Sequence, residues 1–217
     1  MLPRLALFDC DGTLVDGQHG VVHAMEAAFT QLGQPAPDRH QVRRIVGLSL
    51  PQAIRMLLPD ASEDLRADLD AAYRQIFRSN RESGQLVEPL YDGIADLIGQ
   101  LAAQGWVLGV ATGKSQRGLE HCLASHGITA QFATLQTADA HPSKPHPSMI
   151  DAALAETGVS RERCVMIGDT QFDMAMAVNA GVRALGVDWG YHSVEELFDA
   201  GAAAVATSPA NLGELLR

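Results

Sequence analysis

Short apolar runs alternate with helical patterns along most of this 217-residue chain. Five runs, at 4–9, 106–111, 132–136, 163–168 and 182–187, have the length of buried strands. Between them, apolar residues recur at helical spacing, as at Ile94, Leu97, Ile98 and Leu101. Strands that alternate with helices form parallel sheets through right-handed crossovers. The pattern therefore predicts an α/β protein with a doubly wound, Rossmann-like parallel sheet.

Polar residues at the ends of these patterns indicate where helices begin. Asp92 and Ser115 stand where N-caps are expected, and residues 193–196 have the form of a capping box.

One long segment interrupts the alternation. From 15 to 88 the chain has helical apolar stripes, such as Val22, Met25 and Phe29, and no convincing strand. We therefore predict a four-helix insert, or cap, at 15–88, with linkers near 15–18 and 85–89. The α/β core would then comprise 1–14 and 89–217. Ligands of open α/β sheets bind beyond the carboxyl ends of the strands, so an insert that leaves from that end is expected to cover the site.

Composition excludes some classes of partner. The formal net charge of −10 argues against nucleic acid. Three cysteines form an odd set without metal-type spacing, which favours a reducing cytoplasmic location. No apolar run approaches the length of a membrane span, and the first residues lack the pattern of a secretory leader, so no membrane partner is expected. The oligomeric state cannot be derived from these features.

Two aspartates, Asp9 and Asp11, follow the first strand and precede Gly12. Residues i and i+2 of a strand point to the same side, so the two carboxylates are expected together. Asp-Gly alone is ordinary turn chemistry, but two close carboxylates are costly without a cation between them. Mg²⁺ suits such oxygen ligands, and the pair could supply a nucleophile and an acid or base.

Three further clusters stand where later strands end. Thr112 and Gly113 precede a helix, where a hydroxyl and free amides can hold an anion. A Walker A loop is excluded there, because three residues rather than four separate Gly109 from Gly113. The other two clusters are Lys144, set among prolines, and the acids Asp169 and Asp173 after the fourth strand.

In this order, the four clusters resemble the four motifs of the haloacid dehalogenase superfamily. The insert resembles the cap of the branch that includes phosphoglycolate phosphatases and β-phosphoglucomutases. The resemblance implies a Mg²⁺-dependent phosphatase that hydrolyses a small phosphorylated metabolite through an aspartyl-phosphate, with a phosphoglycolate-like substrate as the first candidate.

The resemblance also implies a role for each matching residue. Asp9 would be the nucleophile and a metal ligand, and Asp11 the general acid and base that binds metal through its backbone carbonyl. Lys144 would neutralise charge between nucleophile and phosphate. Asp169 would bind the metal directly, and Asp173 would bind it through water or orient other groups. The residues expected to contact the substrate at the strand ends are Gly12, Thr112 and Gly113.

Two other activities stay open as alternatives. Dehalogenases of this superfamily lack the second acid, so the presence of Asp11 argues against dehalogenase activity. The mutase branch carries a histidine about ten residues after that acid, where this chain has Val21 between His19 and His23; mutase activity is therefore an alternative. A phospho-accepting receiver domain is a second one, although its aspartate normally ends a later strand. A receiver would retain the phosphoryl group, whereas a phosphatase releases it repeatedly.

Two arginines of the insert are candidates for substrate specificity. Arg43 and Arg44 precede the segment 45–49, a break between two helices of the insert. Arginine offers a fork that matches a carboxylate. We therefore expect at least one of them to bind the non-reacting end of the substrate.

Overall fold

A computed structural model describes residues 2–217, with a six-stranded parallel sheet at its centre. The strand order is β3-β2-β1-β4-β5-β6, and every neighbouring pair is parallel. The strands are β1 (Arg4–Phe8), β2 (Trp106–Thr112), β3 (Phe132–Thr137), β4 (Cys164–Gly168), β5 (Arg183–Val187) and β6 (Ala204–Ala206). The predicted fold class is confirmed. The short β6 was not predicted, because three residues are too few to show a period.

The order of the strands reverses at β1. Its two neighbours are β2 and β4, and the chain reaches them in opposite directions across the sheet. Such a reversal opens a crevice beyond the carboxyl end of the central strand. Asp9 lies at that point, because it directly follows β1.

Five helices lie between β1 and β2, and the first four of them form what we call the cap. They are α1 (Gln18–Gln31), α2 (Arg39–Arg44), α3 (Leu50–Leu57) and α4 (Glu63–Glu82). The cap has its own apolar cluster, which includes the predicted stripe residues Val22, Met25 and Phe29. A four-helix arrangement therefore follows the first strand, as expected. The division of the chain at 15 and 88 stays a prediction.

The two linkers of the cap run side by side. Val15 and Leu90 form an antiparallel bridge. The Asp16 amide donates to the Pro89 carbonyl at 2.9 Å, and the Tyr91 amide donates to the Leu14 carbonyl at 3.0 Å. The chain thus enters and leaves the cap at one place.

The remaining helices cover both faces of the sheet. On one face are α5 (Ile94–Ala103), α6 (Gln116–Ser125) and α10 (Pro209–Leu215); on the other are α7 (Ser148–Thr157), α8 (Gln171–Ala180) and α9 (Val194–Asp199). Single 3₁₀ turns occupy Thr129–Gln131 and Arg161–Arg163. The strand β1 contributes to both layers, since Leu5 and Leu7 pack in one and Ala6 and Phe8 in the other.

Two of the three predicted helix starts are confirmed. Ser115 accepts from the Gly118 amide, and Ser193 forms the capping box with Glu196. The prediction for Asp92 is wrong: Gly93 is the N-cap of α5, with a φ of 89°, and no side chain caps that helix. A glycine adopts this left-handed conformation at no steric cost, and the turn there leaves Asp92 one residue too early.

All three cysteines are free and buried. Cys10 and Cys122 bring their Sγ atoms to 3.9 Å on the sheet face covered by α6. Among residues 2–217, no helix combines the length and apolarity that crossing a bilayer requires.

Candidate active site

Asp9 is a fully buried carboxylate at the end of the central strand. Its amide donates to the Ile167 carbonyl at 2.9 Å, which extends the pairing of β1 with β4 by one residue. The Lys144 Nζ atom lies 2.9 Å from Asp9 Oδ1, yet within residues 2–217 neither carboxylate oxygen accepts an aligned hydrogen bond. Burial raises the pKa of Asp9 to about 7, against the opposing effect of Lys144. The group therefore needs further positive charge to ionise fully.

Lys144 joins two acids beneath the cavity. Its side chain is fully buried, and Nζ lies 2.6 Å from Asp173 Oδ1 as well as 2.9 Å from Asp9. Burial disfavours the charged form of Lys144, but Asp173 and Asp9 outweigh it and raise the pKa. The other oxygen of Asp173 accepts from the hydroxyl and amide of Thr170, at 2.7 and 3.1 Å, and so completes the capping box in which Thr170 is the N-cap of α8. Asp173 thus has two roles: it orients Lys144, and it stabilises the first turn of α8.

Asp169 is held in place by three neighbouring groups. The Thr13 hydroxyl donates to Oδ1 at 2.8 Å, and the Tyr191 amide donates to Oδ2 at 3.0 Å. Gly12 has a φ of 86°, and a Cβ atom there would lie 2.2 Å from Asp169 Oδ2. Gly12 therefore packs against Asp169, which accounts for a glycine after Asp11; it is not among the residues that line the cavity.

Three carboxylates form a cluster that fits a divalent metal. Oxygens of Asp9, Asp169 and Asp173 lie within 4.8 Å of one another, and all three side chains are buried. Burial, followed by the charges of Asp173 and Asp9, raises the pKa of Asp169 well above its usual range. This excess of negative charge and the oxygen-only donors match the preference of Mg²⁺. Asp173 accepts from the Lys144 ammonium at 2.6 Å, whereas Asp169 accepts only from the uncharged Thr13 and Tyr191 groups, so the charge of Asp169 is less compensated and more available to a metal.

Asp11 stands apart from this cluster and is paired with Lys114. Lys114 Nζ lies 2.7 and 2.8 Å from the two Asp11 oxygens and 2.7 Å from Glu88 Oε1. Burial raises the pKa of Asp11, whereas Lys114 opposes that rise. The carboxylate of Asp11 is therefore not in the carboxylate cluster, and metal binding through its backbone carbonyl stays a prediction.

Sequence reasoning missed Lys114 as a site residue. The glycine spacing at 109–113 excludes a Walker A loop and assigns no other role to the lysine that follows it. Strand periodicity gives no signal for it, because β2 ends at Thr112 and Lys114 lies in the bend that follows. Thr112 itself is buried and lines the cavity, as expected.

A cavity of about 540 Å³ lies between the core and the cap. Its core side includes Asp9, Asp11, Thr112 and Lys114. The cap contributes the segment 45–51 and one side of α4, where the charged and aromatic residues are Tyr73, Arg74, Phe77, Arg78 and Arg81. The cap therefore covers the strand ends, as the position of the insert predicts.

The segment that joins α2 to α3 sits directly on the core. A Cβ atom on Gly113 would lie 2.4 Å from the Leu48 carbonyl oxygen, so only glycine permits this approach. The Ser49 amide donates to the Ser143 hydroxyl at 2.9 Å. Gly113 lines the cavity and is the core residue against which this cap segment packs.

The structure does not bring Arg43 and Arg44 to the cavity. Arg44 forms a bidentate ion pair with Glu196 of α9, with Nη1 2.7 Å from Oε2 and a second contact to Oε1. Its carbonyl oxygen lies 3.1 Å from His192 Nε2. Arg43 is exposed. The last turn of α2 thus faces α9 rather than the crevice, and contact of these arginines with substrate stays a prediction that this arrangement does not favour.

The sequence of this chain matches that of one family of known proteins. The sequence profile of haloacid dehalogenase-like hydrolases matches residues 6–187. The "Probable phosphatase IndB" of Dickeya dadantii is 37% identical over 197 residues, which cover 89% of this chain and 84% of that protein. The phosphoglycolate phosphatase of Vibrio parahaemolyticus is 30% identical over 218 residues, covering 98% and 96%.

A solved structure shares the whole fold. The crystal structure of a "predicted phosphatase" from Clostridium acetobutylicum superimposes with a TM-score of 0.89 at 25% identity and covers 100% of this chain and 99% of that one. The resemblance drawn from the four motifs is thereby confirmed. This chain belongs to the haloacid dehalogenase-like hydrolase family, in the branch whose relatives include phosphoglycolate phosphatases.

Proposed function

We propose that this hydrolase is a Mg²⁺-dependent phosphatase that cleaves a small phosphomonoester through an aspartyl-phosphate on Asp9. One observation carries the proposal: the Asp9 carboxylate lines the cavity, accepts no aligned hydrogen bond from residues 2–217, and lies 2.9 Å from the buried ammonium of Lys144. Such a carboxylate is free to attack, and the charges beside it suit a phosphate.

Binding would place the phosphoryl group between Asp9 and Thr112. The Thr112 hydroxyl and the Lys144 ammonium would neutralise the charge that spreads over its oxygens. The residues that would hold Mg²⁺ are Asp9, Asp169 and the backbone carbonyl of Asp11, with Asp173 beside them. When bound, Mg²⁺ supplies positive charge that lets Asp9 ionise beside a phosphate.

In the first half-reaction, a carboxylate oxygen of Asp9 attacks phosphorus and the bond from phosphorus to the leaving oxygen breaks. Asp11 gives its proton to that leaving oxygen. In the structure Asp11 is paired with Lys114. Proton donation therefore requires Asp11 to exchange this partner for the substrate.

The second half-reaction releases phosphate. Asp11 takes a proton from water, the water oxygen attacks phosphorus, and the bond between phosphorus and Asp9 breaks. Asp9 returns as a carboxylate and Asp11 returns protonated, so that the cycle closes.

The cavity favours a small substrate. Its cap side, including the segment 45–51, stands over the strand ends, so a macromolecule could not readily reach Asp9. The phosphoglycolate phosphatase relative makes phosphoglycolate a first candidate. Val21 lines the cavity where the mutase branch carries histidine, which favours hydrolysis over transfer. A cytoplasmic location without nucleic-acid partners fits the three free cysteines and the net charge of −10.

Trapping of the intermediate tests the proposal. The variant Asp11→Asn, mixed with Mg²⁺ and 4-nitrophenyl phosphate, should gain the mass of one phosphoryl group, because the good leaving group needs no proton but the second step lacks its base. The double variant Asp9→Asn/Asp11→Asn is the matched control and should gain none.

Wild-type turnover separates the alternative activities. The proposal expects many equivalents of inorganic phosphate per enzyme from a panel of phosphorylated metabolites. Release of less than one equivalent with a stable phosphoprotein would indicate a receiver domain. Movement of phosphate between two positions of a sugar phosphate, without its release, would indicate a mutase.

A further inference from the structure

Three arginines on one side of α4 line the cavity and form what we call the arginine row. They are Arg74, Arg78 and Arg81, and Phe77 lies among them. Spacings of three, four and seven residues place side chains on one helix face. The row extends for about 10 Å along α4, at 1.5 Å per residue.

Much of the charge in the row has no acidic partner. Arg74 pairs with Asp70, with Nη2 3.2 Å from Oδ1. Within residues 2–217, however, neither Arg78 nor Arg81 forms an ion pair. The Nε atom of Arg81 is buried without a hydrogen-bond partner, and its guanidinium carbon lies 5.5 Å from the centre of the Phe77 ring.

The acids around the cavity are already engaged elsewhere. Asp9 and Asp11 are paired with Lys144 and Lys114, and Asp139 accepts from the Gln116 amide at 2.8 Å. The cap side of the cavity is therefore positive in a chain whose net charge is −10. Such local reversal of sign inside a cavity concentrates anions there.

The reacting phosphoryl group alone does not account for the arginine row. Lys144 and Thr112 serve that group at the strand ends, whereas the row belongs to the opposite wall, on the cap. Arginine presents a planar fork that matches a carboxylate or a phosphate. A second anionic group on the same substrate would meet the row while the phosphoryl group meets Asp9.

We propose, on the basis of the proposed phosphatase activity, that the arginine row binds a second anionic group of the substrate. The preferred substrates are then phosphomonoesters that carry a distal carboxylate or phosphate. The cavity of about 540 Å³ is within the range that encloses such metabolites. Specificity of this kind resides in α4, not in Arg43 or Arg44.

Two matched pairs of substrates test the inference. Glycerol 3-phosphate and 3-phosphoglycerate differ by a carboxylate, and fructose 6-phosphate and fructose 1,6-bisphosphate differ by a phosphate. For at least one pair, kcat/KM of the wild type should be tenfold or more higher for the substrate with the second anion. The pair that shows the larger ratio identifies the distal group.

The variant Arg78→Gln/Arg81→Gln should remove most of that preference. We expect kcat/KM for the preferred substrate to fall at least tenfold, and that for its neutral partner by less than threefold. The matched control is Arg39→Gln/Arg55→Gln, which removes two exposed cap arginines outside the cavity and should leave both values unchanged. The single variant Arg78→Gln, at an exposed position, provides the same comparison if the double variant is unstable.

The outcomes distinguish this inference from the proposed function. Absence of turnover with every phosphomonoester, 4-nitrophenyl phosphate included, would overturn the phosphatase assignment. Turnover without a preference for a second anion would overturn the arginine row alone. Equal losses on both members of a pair would also overturn it, because they would indicate a general effect on the cap.

Discussion

The two sides of the cavity hold their charges in different ways. On the core side, Asp9, Lys144 and Asp169 are fully buried and lie in fixed contact with neighbouring groups. On the cap side, Arg78 and Arg81 have no ionic partner among residues 2–217 and are at least partly exposed. A buried charge is costly unless its partners are in place, whereas an exposed arginine can adapt to different ligands. This difference supports the proposals that the chemistry takes place on the core side and that the cap side selects the substrate.

Removal of the Asp9 carboxylate should have the largest effect. We expect Asp9→Asn to lower kcat by about a thousandfold or more for every substrate, because an amide is a poor nucleophile. Steady-state phosphate release measures the loss, and circular dichroism checks the fold. Substantial phosphate release by a pure, folded variant would show that Asp9 is not the nucleophile.

Replacement of the metal should have the next largest effect. After treatment with chelator, activity should fall by about a hundredfold or more and return with Mg²⁺. Ca²⁺ should restore little of it, because Ca²⁺ accepts more ligands in looser geometry and can bind the nucleophilic carboxylate through both oxygens. The assay is a titration of each metal into metal-free enzyme. Full activity in excess chelator would contradict the role of the carboxylate cluster.

The stability of the metal-free protein should depend on pH through Asp9. Its pKa of about 7 in the folded chain exceeds its ordinary value of 3.8, so the folded state holds its proton more tightly than the unfolded state. Protonated Asp9 therefore adds to the free energy of unfolding, on the order of a few kcal/mol. This contribution is complete below about pH 4 and is lost as the pH rises through about 7. Urea unfolding at pH 5 and 7.5, in chelator, measures the difference.

Two variants sharpen that measurement. Asp9→Asn should reduce the pH dependence, because the titrating group is gone, whereas Arg78→Gln/Arg81→Gln should leave it unchanged. An equal change in both variants would mean that the two sides of the cavity are not independent.

Loss of the ion pair between Arg44 and Glu196 should have the smallest effect. The pair is partly exposed, with 28% and 34% of the side chains accessible, and such pairs contribute about 0.5–1 kcal/mol. Arg44→Ala should therefore lower Tm by about 1–4 °C and change kcat/KM less than threefold. Thermal unfolding and the substrate pairs described above measure both. A tenfold loss confined to substrates with a second anion would restore Arg44 as a recognition residue.

The sequence predicted the core side of the cavity better than the cap side, for a physical reason. Asp9, Thr112 and Asp169 follow strands, and parallel strands end at a common edge, so their order along the chain already implies proximity. Helical periodicity identifies the apolar stripe of α4, but it does not tell which of its polar residues face the core. Which residues face the core depends on how the cap packs on it. That packing involves contacts between residues far apart in the sequence, such as Arg44 and Glu196.

The side-by-side linkers of the cap have a topological consequence. Because residues 14–16 and 89–91 are joined by backbone hydrogen bonds, the two ends of the cap lie next to each other. The cap can therefore be removed or exchanged as one unit. A short turn that joins Val15 to Leu90 in its place would leave the strand order of the sheet unaltered. Chimaeras that graft the cap of one relative onto the core of another would then transfer substrate preference without rebuilding the catalytic strands.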